Sequence, residues 1–323
     1  MQKNFKKIIS VLSVLVLGFF LIGCTVDQEG QVEDTGTEDA STDSTELSIG
    51  FSISTLNNPF FVTMAEGAEE KAAELGVQIN VVDAGNDPAK QSTDIEDLIN
   101  TGIDVLIVNP EDSASVGPAI QSALDNGIRV IAIDREVEDA DVDVFIGTDN
   151  VAAAQNAGEE LLNYLESDDE VVVLEGVPGA SSAIDRHEGF LNAIEDSVNI
   201  VASQTANYDR TEALTVTENL LQAHPNIRAI VAANDEMALG AIEAVNGANL
   251  TPGEDILITG FDANDDAITA VEEGTMLLTV EQRPDLMGGI AVETSLSLFE
   301  GEDVDSEIPS DVTILDAETL ENR

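Results

Sequence analysis

From residue 47 to residue 271 the chain alternates short β-type runs with amphipathic helical stretches, and that order leaves few architectures open. Residues 47–54, 77–82, 105–108 and 130–133 are rich in Val and Ile. Between them lie 59–75, 88–100 and 113–125, with apolar residues at helical spacing. Gly76, Gly102 and Gly127 follow those helices, where a left-handed C-terminal residue is expected. The cycle then repeats, with strands expected at 171–174, 200–204, 229–232 and 256–259. Helices are expected at 151–165, 182–194, 210–222, 236–245 and 264–271. A β-α-β-α order predicts parallel sheets with helices on both faces. Two sets of strands predict two similar α/β lobes rather than one continuous sheet.

The places where those strands stop share one chemistry. Ligands of open parallel sheets bind beyond the carboxyl ends of the strands. Here those ends carry Ser54-Thr55-Leu56-Asn57-Asn58, then Asn109, Asp134-Arg135, Asn234-Asp235 and Asp262. Asn, Asp and Arg bond polyol hydroxyls, each of which both donates and accepts. Any one tip alone reads as a turn residue or helix N-cap. Five successive tips of the same character point to a neutral, hydroxyl-rich ligand. Arg135, Arg186, Arg210 and Arg283 also sit at loop or strand-end positions in a chain with only 12 basic residues. Arg135 and Arg186 are assigned to the site. For Arg210 and Arg283 a surface salt bridge, worth about 0–1 kcal/mol, stands equally open.

The start of the chain reads as targeting rather than fold. Lys3, Lys6 and Lys7 precede an almost wholly apolar run at 8–22, shorter than the roughly 20 residues of a membrane span. It ends in Leu21-Ile22-Gly23-Cys24, which resembles a bacterial lipobox with Cys24 as the lipidated residue. Cys24 is the sole cysteine, so no internal disulfide forms. Residues 25–46 are rich in Asp, Glu, Ser, Thr and Gly without an aromatic or basic residue, and predict a disordered tether. All 64 acidic residues lie beyond Cys24, against nine basic ones, yet the chain is 43% hydrophobic and so is no disordered polyanion. Such charge repels itself unless screened, and predicts a halophilic source. It excludes nucleic acid as a partner.

The segments Ser54-Thr55-Leu56-Asn57-Asn58-Pro59-Phe60-Phe61, Ile133-Asp134-Arg135, Asn234-Asp235-Glu236-Met237-Ala238-Leu239-Gly240-Ala241 and Gly260-Phe261-Asp262 resemble the ribose-binding proteins of bacterial ATP-binding-cassette importers. These belong to the pentose/hexose periplasmic-binding and LacI-type group. The resemblance covers about residues 47–315. It implies the type I periplasmic-binding fold, an α/β architecture of two doubly wound parallel-sheet lobes joined by three crossover strands. By matching motifs, Asn58, Phe60, Phe61, Asn109, Asp134 and Arg135 would face a sugar from the first lobe. Arg186, Tyr208, Asn234, Phe261, Asp262 and Gln282 would face it from the second. Aromatic rings would stack on the C–H faces of a pyranose while charged and amide groups bond its edge.

After the signal and lipobox read at 1–24 and the tether at 25–46, the resemblance implies a first lobe of 47–147 with 283–311, and a second of 148–282 with 312–323. The lobes would swing about crossovers near Gly147-Thr148, Gln282-Arg283 and Asp311-Val312. The implied partners are ribose, or a related sugar such as allose, xylose or galactose, and a permease with its ATPase. The expected state is a monomer outside the membrane, held by the lipid that the lipobox predicts on Cys24. The family usually has phenylalanine where this chain has Tyr208, which bears on the choice of sugar.

Other chemistries fit less well. The segment from Asp262 to Glu273 imitates a calcium loop but has Ala267 where the sharp turn needs glycine. The Gly176–Ser182 segment lacks the lysine of a phosphate loop and reads as a turn and helix cap. His187 and His224 have no metal-ligand spacing, so neither metal nor cofactor is expected. A sugar-responsive repressor would need an N-terminal helix-turn-helix where this chain has a signal and tether. No group is placed as a nucleophile, so the chain is expected to bind and not to catalyse.

Overall fold

The computed structural model describes residues 46–323. The signal segment, Cys24 and all but the last residue of the acidic tether lie outside the described residues.

The expected alternation is present. The first half runs β1 (Ser48–Ile53), α1 (Pro59–Leu75), β2 (Gln78–Asp83), α2 (Pro88–Thr101), β3 (Val105–Val108), α3 (Gly117–Asp125), β4 (Arg129–Ile133) and β5 (Val144–Gly147). It continues with α4 (Asn150–Leu162), β6 (Glu170–Glu175), α5 (Ser181–Ile194), β7 (Asn199–Thr205), α6 (Arg210–Ala223), β8 (Ile227–Ala232) and α7 (Asp235–Gly247). The chain ends in β9 (Leu257–Thr259), α8 (Asp265–Glu272), β10 (Leu278–Glu281), α9 (Pro284–Glu300), β11 (Glu307–Pro309), β12 (Thr313–Asp316) and α10 (Ala317–Glu321).

Two six-stranded sheets form, in the orders β11-β5-β4-β3-β1-β2 and β12-β10-β9-β8-β6-β7. The second repeats the first, strand for strand. Pairing is parallel except that β12 joins β10 antiparallel. In both sheets the order reverses beside the first strand, so a crevice opens beyond the carboxyl ends there. The fold is the α/β architecture of two doubly wound lobes.

The helices start and stop for local reasons. Pro59 and Pro88 open α1 and α2, and the side chains of Asn58 and Asp87 accept from backbone N–H groups of the first turn. Gly76 and Gly102 close them in left-handed conformation, φ 71° and 82°. The third helix begins at Gly117 rather than at Ser113; residues 113–116 form turns, and the Ser113 N–H donates to Gly179 O at 2.9 Å. Helix α9 was not legible from periodicity, being apolar on more than one face. It packs on α1 so closely that a Cβ at Gly288 would stand 2.1 Å from Met64 O.

The first sheet is covered on both faces. Phe51, Ile53 and Met64 lie on the face packed by α1 and α9, and Leu106, Val108 and Ile120 on the other. Each such buried side chain stabilises by roughly 1.5–3 kcal/mol. The chain passes between sheets three times, after β5, after β10 and between β11 and β12. Ser310 ties the three passages together: its N–H donates to Gly147 O and its hydroxyl to Gln282 O, both at 2.8 Å.

Candidate ligand-binding site

The facing strand ends of the two sheets line a narrow cavity at the cleft. Asn58, Phe60, Phe61, Asp134 and Arg135 line it from the first lobe. Ser182, Arg186, Tyr208, Asn234 and Asp262 line it from the second. All but Tyr208 are less than a tenth exposed.

Backbone conformation aims the two carboxylates. Asp134 follows β4 with φ 65° and Asp262 follows β9 with φ 120°, left-handed values that non-glycine residues adopt at a cost of about 1–3 kcal/mol. Neighbouring strands hold both residues there, since the Asp134 N–H donates to Ile146 O at 2.7 Å and the Asp262 N–H to Val280 O at 2.8 Å. Burial pushes both carboxyls above the usual range. For Asp134 the guanidiniums of Arg135 and Arg186 oppose it; for Asp262 Arg186 opposes it while Asp235 and Asp134 add to it.

Each arginine is fixed from several sides. Arg135 Nη1 donates to Pro110 O at 2.8 Å and to Glu111 Oε2 at 3.3 Å, with its guanidinium 5.1 Å from the centre of the Phe61 ring. Arg186 Nε donates to Asn150 Oδ1 at 2.8 Å and Nη1 to Ala233 O at 2.8 Å. Its guanidinium lies 3.8 Å from the Phe261 ring centre and 5.8 Å from that of Tyr208.

Three of the twelve expected residues stand behind the lining. Asn109 Nδ2 donates to Asp134 Oδ2 at 3.1 Å, while its Oδ1 accepts from Ser54 at 2.6 Å. Gln282 Nε2 donates to Asp262 Oδ1 at 2.8 Å, and its Oε1 accepts from Arg186 Nη2 at 3.3 Å. Phe261 is fully buried beneath Arg186. These three orient the groups that line the cavity. Arg210 and Arg283 are outside the lining. Arg210 pairs with Glu236 at 2.8 Å and Asp266 at 3.0 Å, and Arg283 with Asp285 at 2.9 Å.

Ser182 is a lining residue that sequence reasoning missed. It sits in the first turn of α5, four residues before Arg186 and so on the same helix face, a spacing that could have exposed it. Asn58 and Asn234 are both helix caps and lining residues. Asn234 Oδ1 accepts from Met237 N at 3.0 Å, which leaves Nδ2 without a protein partner.

Hydrogen bonds also join the lobes directly. Besides Ser113 N–H to Gly179 O, the Ser181 N–H donates to Ser113 Oγ at 3.2 Å and the Glu136 N–H to Ser181 Oγ at 2.8 Å. A larger, solvent-open hollow adjoins the cavity and shares Phe60 and Asp262 with it. Its acids Glu236, Asp265, Asp266, Glu281 and Asp285 are all reached by solvent. Among the described residues no cluster of three or more His, Cys, Asp or Glu could hold a metal ion, and no helix is long and apolar enough to cross a membrane.

Comparison with known proteins agrees with this geometry. A family described as periplasmic binding protein domain matches residues 49–303. The ribose import binding protein of Bacillus subtilis is 41% identical over 94% of this chain and 96% of its own length. That of Haemophilus influenzae is 43% identical over 91% of this chain and 96% of its own. A solute-binding protein of Actinobacillus succinogenes, solved with D-allose bound, superposes with TM-score 0.79 at 31% identity, covering 86% of this chain and all of the other. With two repeated parallel sheets, a polar cleft between them and matches along nearly its whole length, the chain belongs to the periplasmic binding protein family, whose members are solute receptors and not enzymes.

Proposed function

We propose that the chain captures ribose between its lobes outside the cell membrane and delivers it to an ATP-binding-cassette import permease and its ATPase. One observation carries the ligand class. Arg135 Nε, Tyr208 Oη and Asn234 Nδ2 are buried polar atoms without a hydrogen-bond partner, and all three residues line the cavity. A buried polar group left unpaired costs about 1–3 kcal/mol, so the site is built for a ligand that supplies the missing bonds. Two carboxylates, Asp134 and Asp262, stand beside these donors and accept from hydroxyls. Phe60 and Phe61, edge to face at 5.3 Å, offer apolar surface to a sugar ring. A monosaccharide satisfies all three requirements. Ribose is favoured by the ribose import relatives; allose is the second reading, favoured by the allose-bound neighbour.

In this reading the twelve residues named from sequence, with Ser182 added, form the sugar site, nine of them by contact and Asn109, Phe261 and Gln282 by support. The lobes comprise 47–147 with 283–311 and 148–282 with 312–323, and they open about the passages held by Ser310. Sugar bonds both lobes and so favours the closed state by its differential affinity. Cys24 carries a lipid that anchors a monomeric receptor through the acidic tether, and the excess of acid suits a halophilic source. A thermal-shift panel of ribose, allose, xylose, galactose and glucose in molar salt tests the ligand. Ribose at 100 times its dissociation constant adds about 2.7 kcal/mol of stability. A flat response to ribose beside a shift with another sugar overturns the choice of ligand.

A further inference from the structure

The Tyr208 side chain is placed with unusual firmness for a loop residue. Asn207 and Tyr208 are consecutive left-handed residues, φ 51° and 58°, in the turn between β7 and α6. Asn207 Nδ2 donates to both Glu212 carboxylate oxygens at 3.0 Å, its N–H donates to Thr205 Oγ1 at 3.2 Å, and Asp209 caps α6 through Glu212 N at 2.7 Å. The ring lies flat on Gly176, where a Cβ would stand 2.2 Å from Tyr208 Cζ and 2.5 Å from Cε1. It cannot retreat in that direction. The guanidiniums of Arg135, across the cleft, and of Arg186, on the same lobe as the ring, both lie 5.8 Å from the ring centre. The ring is partly exposed, yet its hydroxyl is fully buried and has no hydrogen-bond partner. The Ser182 hydroxyl, on the cavity wall beside it, is near enough to act on the phenol as a hydrogen-bonding neighbour, but no bond of normal geometry joins them.

We infer that the Tyr208 hydroxyl, with Ser182 beside it, reads one particular hydroxyl of the bound sugar and so sets which sugar the site accepts. The inference rests on the sugar-receptor reading and deepens it. A phenylalanine ring would fill the same place and stack alike, but would carry no donor. A fixed, buried donor distinguishes ligands strongly, because an analogue lacking the matching oxygen leaves it unpaired. A merely apolar wall cannot do this. Arg135 and Arg186 leave the Tyr208 hydroxyl neutral and able to donate, since burial raises the phenol above its ordinary value despite both charges.

The test is calorimetric titration of wild type, Tyr208→Phe and Ser182→Ala with ribose and with ribose analogues each lacking one hydroxyl. In the wild type one analogue binds roughly 10- to 100-fold more weakly than ribose through loss of the Tyr208 contact. In Tyr208→Phe that penalty shrinks to about threefold or less, while the penalties for the other analogues persist. Ser182→Ala reduces the same penalty and no other. If every analogue suffers the same penalty in Tyr208→Phe as in wild type, Tyr208 serves only to bond Ser182 and the inference is wrong. Failure of the wild type to bind ribose is a separate result: it removes the ribose reading, and this one with it.

Discussion

Removing the direct bonds between the lobes should weaken sugar binding without altering any residue that touches the sugar. The variant is Ser113→Ala with Ser181→Ala. Ser113 is fully buried and Ser181 is 8% exposed, and neither lines the cavity. The first change removes the acceptor for the Ser181 N–H at 3.2 Å, and the second the acceptor for the Glu136 N–H at 2.8 Å. The third bond, Ser113 N–H to Gly179 O, uses backbone atoms and survives. When the lobes part, water takes over each of these contacts, so the loss falls on the closed state alone. At about 0.5–1.5 kcal/mol per neutral bond, two bonds amount to about 1–3 kcal/mol. The apparent affinity for ribose then falls about 5- to 150-fold, since closure and binding are coupled. Titration calorimetry reads the affinity, and solution scattering on the same samples reads the compaction that ribose produces. An affinity within twofold of wild type would refute the view that these bonds hold the closed state. So would a weaker affinity matched by an equal loss of stability in the ligand-free protein.

Three further outcomes follow from the site. Arg135→Ala abolishes ribose-induced stabilisation and also lowers the stability of the ligand-free protein by about 3–5 kcal/mol, because Glu111 and Asp134 are left as buried charges without their partner; a denaturant melt unchanged from wild type contradicts this. Asp185 in the second lobe is raised by burial and then by Glu136 across the cleft, with Glu188 and Asp149 adding and Arg186 opposing. Raising salt to about 1 M shortens the screening length to roughly 3 Å and relieves this repulsion, so ribose should bind more tightly in titrations at high salt, and weaker binding there contradicts it. Asp235 is fully buried, accepts from Thr279 Oγ1 at 2.6 Å and Asn264 N at 2.9 Å, and is pushed by burial up to about 7. An acid raised on folding contributes stability that is present below its unfolded value near 4 and lost as pH rises through its folded value. The stability of wild type relative to Asp235→Asn should therefore fall by a few kcal/mol between about pH 4 and pH 8 in urea melts, and a flat difference would show that Asp235 titrates normally.

Most of this architecture was legible because period and punctuation agreed. The apolar face of α1, the cap Asn58 and the left-handed Gly76 all give the same limits for one helix, and the polar ends of β1, β3, β4, β8 and β9 marked the cleft. What stayed hidden was set by tertiary contact. Strands β5 (Val-Phe-Ile-Gly) and β10 (Leu-Thr-Val-Glu) lack the unbroken run of Val, Ile and Leu that marked the equally short β3. Helix α9 buries Met287, Ala291 and Val292 but also Gly288, Thr294 and Ser295 on a broad face, so its pattern is blurred. Strand β12 runs antiparallel after a chain reversal that the β-α order does not predict. Within the site, sequence indicated the polar residues but not their division of labour. That Phe261 and Gln282 support Arg186 and Asp262, while Ser182 lines the cavity, depends on side-chain layering across the sheet ends.

Calorimetric titration of the chain with D-ribose in molar salt tests the central claim most directly. The account predicts saturable binding of one ribose per chain, tighter than that of glucose and abolished by Arg186→Ala. Absence of saturable ribose binding by a folded wild-type protein, or undiminished binding by Arg186→Ala, would contradict it.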